Sequence, residues 1–337
     1  MPRTISVAVP TRNRAASLIC CIGSILRNDC PELLEILVIA NPDDKATLEF
    51  CMELAKTQPK IRLELSEPAC RNISKNHALE KARGEYVYFL DDDIILPHGN
   101  LKALLDMIDK HPAAAALGGP NITPVNSPNN LQQAIGAVLL QPFATFMTRA
   151  RYVPAPKEFR ASENSLQSCN LCLRKSVLER WPRPFEPTMF SGEETLLLYR
   201  MKKAGLELYS SPTLYVEHHR RSTFFSFCRQ IFLCGAGRAQ MSRLEHGSFQ
   251  PIFAIPSLFL IYLLALAAAL PLRAASPLLW PLYAYAGMLF LSELTRPLNP
   301  KISSFSALKL TVSLHLCYGA GFLAGLAADK RSCGIKR

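Results

Sequence analysis

The chain lacks the features that would give its positive charge a nucleic-acid explanation. Its 337 residues carry a formal net charge of +11, yet there is no zinc-finger spacing, no aromatic RNA-binding signature and no basic helical arm. Nucleic acid is therefore not expected as a partner, and an anionic membrane face is the remaining account of the charge. A disulfide scaffold is excluded too. The eleven cysteines are odd in number and scattered through a chain of this length, which favours reduced thiols in a cytosolic compartment. Cys169 and Cys172 form one C-x-x-C without a second pair, and both read as small hydrophobes. Internal repeats are absent. No secretory signal is read: Met1-Pro-Arg-Thr leads straight into an apolar, β-branched run at residues 5–9. The first two-thirds of the chain is expected to stay in the cytosol, where the sequons at Asn72 and Asn121 have no consequence.

What is present, from residue 4 to about 119, is an alternation of strand and helix patterns. Strand patterns fall at 5–9, 33–40, 61–65, 86–90 and 113–117, and helical spacing at 15–26, 45–56, 70–82 and 101–110. Strands separated by helices of this length predict a mostly parallel, doubly wound α/β sheet, covered on both faces and hence continuously apolar. Residues 120–165 are Pro- and Asn-rich and read as loop-dominated, a segment suited to shaping a binding site. Regular pattern returns at 166–173, followed by a helix from 175 to about 180. A second helix opens at Gly192-Glu193-Glu194, runs to Lys203 and stops at Gly205, its acids in the first turn as the helix dipole favours.

Beyond residue 250 the composition changes. Residues 252–272, 278–294 and 305–328 are long apolar stretches; the first and third have spanning length, and the second is short and contains Pro281. Gly321-x-x-x-Gly325 permits close helix packing. Arg220, Arg221, Arg229, Arg238 and Arg243 precede the first stretch, and Lys330, Arg331, Lys336 and Arg337 follow the last. Both groups prefer the cytoplasmic side, which conflicts with three full crossings: either one stretch is re-entrant or interfacial, or the bias of the tail is overruled. The expected layout is a catalytic domain over 1–220, an amphipathic basic linker over 221–250 with its amphipathic stretch at 224–243, a multi-pass transmembrane region over 251–330 in the inner or plasma membrane, and a basic tail over 331–337.

The feature richest in chemistry is Asp91-Asp92-Asp93, directly after the apolar run Tyr86-Val-Tyr-Phe-Leu90. Adjacent carboxylates repel, and strand ends open onto the ligand crevice of open α/β sheets. Clustered hard oxygens there suit a divalent cation such as Mg²⁺ or Mn²⁺, and a cation in such a crevice usually holds phosphates.

Several segments together resemble the family 2 glycosyltransferases of the GT-A fold. Val9-Pro-Thr-Arg-Asn-Arg14 is similar to their opening strand and turn. Lys75-Asn76, then Ala82-Arg-Gly-Glu-Tyr-Val-Tyr-Phe-Leu-Asp-Asp-Asp93, is similar to their approach to the D-x-D motif. Asn170-Leu-Cys-Leu-Arg174 resembles the strand lining their acceptor side. Gly192-Glu-Glu-Thr-Leu-Leu-Leu-Tyr-Arg-Met-Lys-Lys-Ala-Gly205 resembles their Glu-Asp helix, and His218-His-Arg-Arg221 a basic element that often follows it. The resemblance covers residues 4 to about 240.

The resemblance implies a nucleotide-sugar donor, a metal held by Asp91 and Asp93 with His218 as a further ligand candidate, and a carboxylate base on the acceptor side. Asp92 either shares ligation or contacts the ribose. The base position of the family falls on Glu194, with Glu193 as the second candidate; a helix turns about 100° per residue, so both do not face one sugar. Pro10, Thr11, Arg12 and Arg14 belong to the donor side, together with Lys75 and Asn76, and Asn170 to the acceptor side. Two positions depart from the family. Ala40 or Asn41 stands where an acid usually grips the nucleobase, leaving Asn41 as the candidate there, and the Glu-Asp pair is Glu193-Glu194.

The sequence is thus expected to encode a membrane-anchored, inverting, metal-dependent glycosyltransferase working with Mn²⁺ or Mg²⁺ at the cytoplasmic face, on a lipid-linked or carbohydrate acceptor and in contact with membrane lipids. Two rival readings are a catalytically silent donor-binding or membrane-assembly protein and a processive polysaccharide synthase. The latter carries Gln-x-x-Arg-Trp, and Gln230 is followed by no such Arg-Trp. A nucleotidyltransferase is disfavoured by the lack of a Gly- and Lys-rich phosphate loop near residue 12.

Overall fold

A computed structural model describes residues 3–125, 127, 129–269, 276–296 and 302–328. The chain forms two compact units. The first comprises Met1–Ile122, Ala150–Pro187 and Glu193–His219, and the second Thr123–Arg149, Thr188–Gly192 and Arg220–Arg337. The second unit therefore takes in Thr123–Arg149 from the middle of the chain as well as the C-terminal helices.

In chain order the elements are β1 (Ile5–Pro10), α1 (Ala15–Leu26), β2 (Leu33–Ala40), α2 (Lys45–Thr57), β3 (Ile61–Leu65), α3 (Arg71–Lys81), β4 (Tyr86–Leu90), β5 (Ile94–Ile95), α4 (Asn100–Lys110), β6 (Ala114–Gly118), β7 (Asn121–Ile122), α5 (Asn130–Leu139), α6 (Pro142–Thr145), β8 (Phe159–Arg160), β9 (Asn170–Arg174), α7 (Glu193–Lys203), β10 (Glu207–Ser210), β11 (Val216–His218), α8 (Phe224–Leu244), α9 (Ile255–Ala269), α10 (Trp280–Leu294) and α11 (Ser304–Ala327).

The first unit is built on a mixed sheet in the order β3-β2-β1-β4-β9-β6-β10-β8. Pairings among β3, β2, β1 and β4 and between β6 and β10 are parallel, while β9 runs antiparallel between β4 and β6. Successive strand residues point to opposite faces, and two cores result. Val7, Val9, Ile36 and Tyr88 pack with Leu18 and Ile22 of α1 on one side. Ala8, Leu37 and Phe89 pack with Leu197 and Leu198 of α7 on the other. Every residue of β4 is buried, which accounts for its unbroken apolar run. The mostly parallel α/β sheet expected from the alternation is present, with the antiparallel β9 inserted.

A small second sheet, β5-β11-β7, sits at the end of β4. Its strands are two or three residues long and carry no period to read. It matters because His218 pairs with Ile94, which sets His218 beside the acids that precede Ile94.

In the second unit the region expected to be loop holds α5 and α6. The Asn129 side chain accepts from the backbone N–H groups of Leu131 and Gln132, so the Asn that suggested loop is a helix cap. The helix expected after β9 is present as a 3₁₀ helix, Lys175–Arg180. Thr223 caps α8 by accepting from Ser226. Two C-terminal segments are long and apolar enough to cross a membrane, Pro251–Ala269 and Ser304–Ala327, and α10 is a shorter helix of 15 residues. The basic tail, 331–337, and positions 270–272 of the first apolar stretch lie outside the described residues.

Candidate active site

All the groups described next belong to the first unit. The β4 strand delivers Asp91, Asp92 and Asp93 to the end of the sheet, and their side chains diverge. The Asp92 carboxylate turns inward: Thr11 Oγ1 donates to it at 2.8 Å and Arg14 Nη1 at 2.9 Å. Burial pushes the Asp92 carboxyl above the usual carboxylate range; the Arg14 cation opposes this, and the charge of Asp93 adds to it. Arg14 Nη1 also donates to Asp93 Oδ2 at 2.7 Å. Burial alone would lower the Arg14 pKa, but Asp93 and Asp92 outweigh it and raise it. The other oxygen of Asp93 lies 3.0 Å from His218 Nε2, and the backbone N–H of His219 donates to the Asp93 carbonyl. The Asp91 carboxylate has no hydrogen-bond or ion-pair partner among the described residues.

Asp91, Asp93 and His218 each offer a ligand atom, and these atoms lie within 4.8 Å of one another. Two carboxylates and an imidazole suit Mn²⁺, and the carboxylates alone suit Mg²⁺. Neighbouring ligands on an octahedral ion with bonds of about 2.1 Å are about 3.0 Å apart, which matches the 3.0 Å between His218 and Asp93. The residues fit a divalent cation.

The turn after β1 is fixed by α2. Asp44 caps α2 by accepting from Thr47, and its second oxygen accepts from the backbone N–H of Asn13 at 2.5 Å, where Asn13 has φ 54°. Arg12 pairs with Asp43 at 3.1 Å, while its Nε is buried without a partner among the described residues. Pro10 ends β1. Asn41 is engaged at both ends of its amide: Nδ2 donates to the Ser66 carbonyl and Oδ1 accepts from Asp43.

The second acidic centre is the start of α7. Glu193 and Glu194 occupy its first turn, and both are buried. They have different partners. Lys75 Nζ pairs with Glu193 Oε1 at 2.5 Å, with side chains only 1% and 2% exposed. Burial would raise the Glu193 pKa, but the cations of Lys75 and Arg71 overcome it and hold the carboxyl below its ordinary value. Glu194 Oε1 accepts from Thr195 Oγ1 at 3.2 Å and lies 3.7 Å from Arg151. Arg151 is itself fixed by the carbonyls of Asn164 and Glu163 and by Thr195 Oγ1. Next to Lys75, Asn76 donates to the Phe185 carbonyl at 2.7 Å and accepts from the Phe185 N–H at 3.0 Å. Lys75 and Asn76 thus tie α3 to the segment that leads to α7.

Asp91, Asp92, Asp93, Arg14, Thr11 and His218 converge at the end of β4, and Glu193, Glu194 and Lys75 at the start of α7. Asn170 stands apart, fully buried, accepting from Tyr88 Oη at 2.6 Å and donating to the Leu214 carbonyl. Two further residues belong with these groups. Arg71, at the start of α3, is raised above its ordinary pKa: burial works against this, and Glu193, Asp91, Glu194 and Asp93 drive it, so it lies in the field of both acidic centres. Its sequence signal is an arginine opening the helix before β4. Arg151 has no such signal, because it comes from a segment without periodicity and is recognised only by its contacts.

Several known proteins are similar to this chain. Over 107 residues the chain is 37% identical to a GalNAc(5)-diNAcBac-PP-undecaprenol beta-1,3-glucosyltransferase of Campylobacter jejuni, covering 31% of this chain and 34% of that protein. Over 111 residues it is 30% identical to a poly(ribitol-phosphate) beta-N-acetylglucosaminyltransferase of Staphylococcus aureus, covering 32% of this chain and 19% of that one. The chain thus spans about a third or less of the curated relatives it matches. Its fold is similar to that of a mannosyltransferase from Pyrobaculum calidifontis solved with GDP-Man and Mn²⁺, with a TM-score of 0.63 at 17% identity, covering 93% of this chain and 86% of the other. The model of the family described as "Glycosyl transferase family 2" matches residues 6–174, half of the chain, and the chain belongs to that family of glycosyltransferases, with the GT-A fold.

Proposed function

We propose that this chain moves a sugar from a nucleotide-sugar donor to a membrane-associated acceptor, lipid-linked or part of a surface polysaccharide, at the cytoplasmic face, with inversion at the anomeric carbon and with Mn²⁺ or Mg²⁺. The observation that carries the reading is the convergence of Asp91, Asp93 and His218 at the end of β4. These three residues would hold the cation, which when bound offsets the negative charge that grows on the diphosphate leaving group.

The rest is work for the chain's own residues. Arg14 and Arg71 flank the cation site and supply permanent positive charge for the diphosphate. Pro10, Thr11 and Arg12 shape the turn on the nucleotide side, with Asn41 below it. Asp92, spent on Thr11 and Arg14, positions Arg14 rather than binding donor directly. Glu194 is the base that takes the proton of the acceptor hydroxyl, held in place by Arg151 and Thr195. Glu193 is committed to Lys75, so Lys75, Asn76 and Glu193 position the start of α7. Asn170 supports the acceptor side from beneath through Tyr88 and Leu214. One base opposite the leaving group favours in-line displacement and inversion.

The acceptor class rests on the relatives: the Campylobacter enzyme is named for an undecaprenol-linked glycan and the Staphylococcus enzyme for poly(ribitol-phosphate). The cytoplasmic face rests on the arginines that precede the apolar helices. A donor panel on isolated membranes, with and without Mn²⁺ or Mg²⁺, tests the reading. Metal-dependent transfer with an inverted product, read by the anomeric proton coupling, is expected. Transfer that survives a chelator overturns the metal assignment, and a retained configuration overturns the single-base mechanism.

A further inference from the structure

We propose that Cys228 of α8 and Cys317 of α11 are a redox pair, which hydrogen peroxide closes into a reversible disulfide that staples the two helices together.

Both cysteines belong to the second unit, and both thiols are free and partly exposed. The Cys317 side chain is in hydrogen-bond contact with that of Cys228. This contact follows from the register of the helix pair. Helices α8 and α11 run side by side in the same direction. Gly321 abuts the backbone of Phe232, and Gly325 that of Ala236, so closely that a Cβ on either would collide. Cys317, Gly321 and Gly325 are spaced by four residues, as are Cys228, Phe232 and Ala236, and residues four apart share one helix face. Cys228 and Cys317 are therefore the next matched positions, one turn nearer the start of α8. The helices have not parted there. Still earlier in both, Lys309 Nζ lies 4.4 Å from the centroid of the Phe224 ring.

The backbone spacing suits the bond. A Cβ built on Gly321 would lie 2.9 Å from the Cα of Phe232, and one on Gly325 2.7 Å from the Cα of Ala236. With a carbon–carbon bond of about 1.5 Å, each of these two Cα pairs is separated by at most about 4.4 Å. Disulfides take Cα separations of about 4.4–6.8 Å. One turn away from so close an approach, a slight divergence of the helix axes puts Cys228 and Cys317 inside that window. Rotation of two thiols already in contact then brings the sulfurs to bonding distance.

The chemistry needs one peroxide. It oxidises the first thiol to a sulfenic acid and releases one water; the second sulfur attacks the first, and the sulfenic oxygen leaves as another water. The two thiols lose two electrons and two protons, and the peroxide becomes two waters. A dithiol reductant reverses the step. Reduced thiols are the resting state expected in the cytosol, where disulfides are usually transient and redox-sensing. The bond closes a loop of about ninety residues, and a loop of that length removes much conformational freedom from the unfolded chain.

The test uses the full chain in detergent, exposed to hydrogen peroxide, quenched with N-ethylmaleimide, digested without reductant and read by mass spectrometry. A peptide pair joining Cys228 to Cys317 is expected, lighter by two hydrogens than its parts and abolished by dithiothreitol. A mixture of unlabelled and isotope-labelled chains should give no mixed pair. Oxidation should raise Tm by several degrees in the wild type, reversibly, and should not do so in Cys228→Ser or Cys317→Ser. Recovery of both cysteines as maleimide adducts or as sulfinic acids overturns the proposal, as does a bond from either to another cysteine or a mixed-isotope pair. A Cys228–Cys317 bond that forms without raising Tm overturns the staple.

Discussion

Replacing Lys75 by Met strips Glu193 of its direct ion-pair partner in a site that excludes water and leaves Arg71 as its remaining cation, which bounds the size and pH dependence of the effect. The two side chains are 1% and 2% exposed, so solvent does not screen the loss. Removing one partner of a buried pair costs about 3–5 kcal/mol. Protonation sets a ceiling: neutralising a carboxyl of ordinary pKa, about 4.3, at pH 7 costs about 3.7 kcal/mol at 1.36 kcal/mol per unit. The same step at pH 5 costs about 1 kcal/mol. The sign follows from the depressed Glu193 pKa. In the wild type this pair contributes stability that is present above the unfolded carboxyl value and lost as pH falls through the folded one. The Lys75→Met variant should therefore be weaker by about 3–4 kcal/mol at neutral pH, or about 6–16 °C in Tm for a unit of this size. Most of that deficit should vanish by pH 5, and Lys75→Met/Glu193→Gln should recover much of it at pH 7. Thermal unfolding of the detergent-solubilised protein at both pH values is the assay. A deficit that is the same at pH 5 and pH 7, or a double variant no better than the single one, refutes the reasoning.

Glu194→Gln should lower transfer by about 10²–10⁴-fold, the range of a lost general base, while donor affinity measured by calorimetry stays within a few-fold; turnover near wild type removes Glu194 from the mechanism. His218→Ala should weaken Mn²⁺ binding by at least about 10-fold, taking outer-shell losses of 10–100-fold as the lower guide, and the readout is Mn²⁺ titration followed by electron paramagnetic resonance. Gly321→Leu should push α8 and α11 apart, because even a Cβ there meets the Phe232 backbone; the cost should exceed the roughly 1–3 kcal/mol of ordinary overpacking, seen as a lower Tm, and an unchanged Tm contradicts the close packing.

The sheet was legible because its signals are local. A five-residue apolar run such as Tyr86–Leu90 states its own burial, and the acids after it state where the crevice opens. The partition of roles within the acids was not legible, because it depends on partners far away in sequence. Nothing in Asp91-Asp92-Asp93 says that the middle one faces Thr11 and Arg14 while the outer ones approach His218. That split comes from the turn that follows β4 and from β11, a strand too short to show a period. Lys75 and Asn76 were visible as a pair, but their link to Glu193 and Phe185 spans over a hundred residues. Arg151 was hidden for the same reason, in a segment whose Asn-rich start also disguised α5.

The charge inventory of the two acidic centres makes a final point about how donor and cation bind. Asp91, Asp92, Asp93, Glu193 and Glu194 face Arg14, Arg71, Lys75 and Arg151, five acids against four permanent cations. Alone, the site is close to balanced. A nucleoside diphosphate adds at least two negative charges to it, and a divalent cation adds two positive ones. Either ligand by itself leaves the site with excess charge of its own sign in a partly desolvated crevice, where Coulomb terms are several-fold larger than in water; both together restore the balance. Cation and diphosphate should therefore bind with positive coupling, and linkage requires each to strengthen the other by the same factor. Mn²⁺ affinity measured with and without a nucleoside diphosphate should differ by about 5–150-fold, the usual range of such coupling. Adding Arg14→Gln should increase that factor, because one cation fewer makes the diphosphate more dependent on the metal. Equal Mn²⁺ affinity in the presence and absence of the nucleotide would show that the two ligands do not share the site.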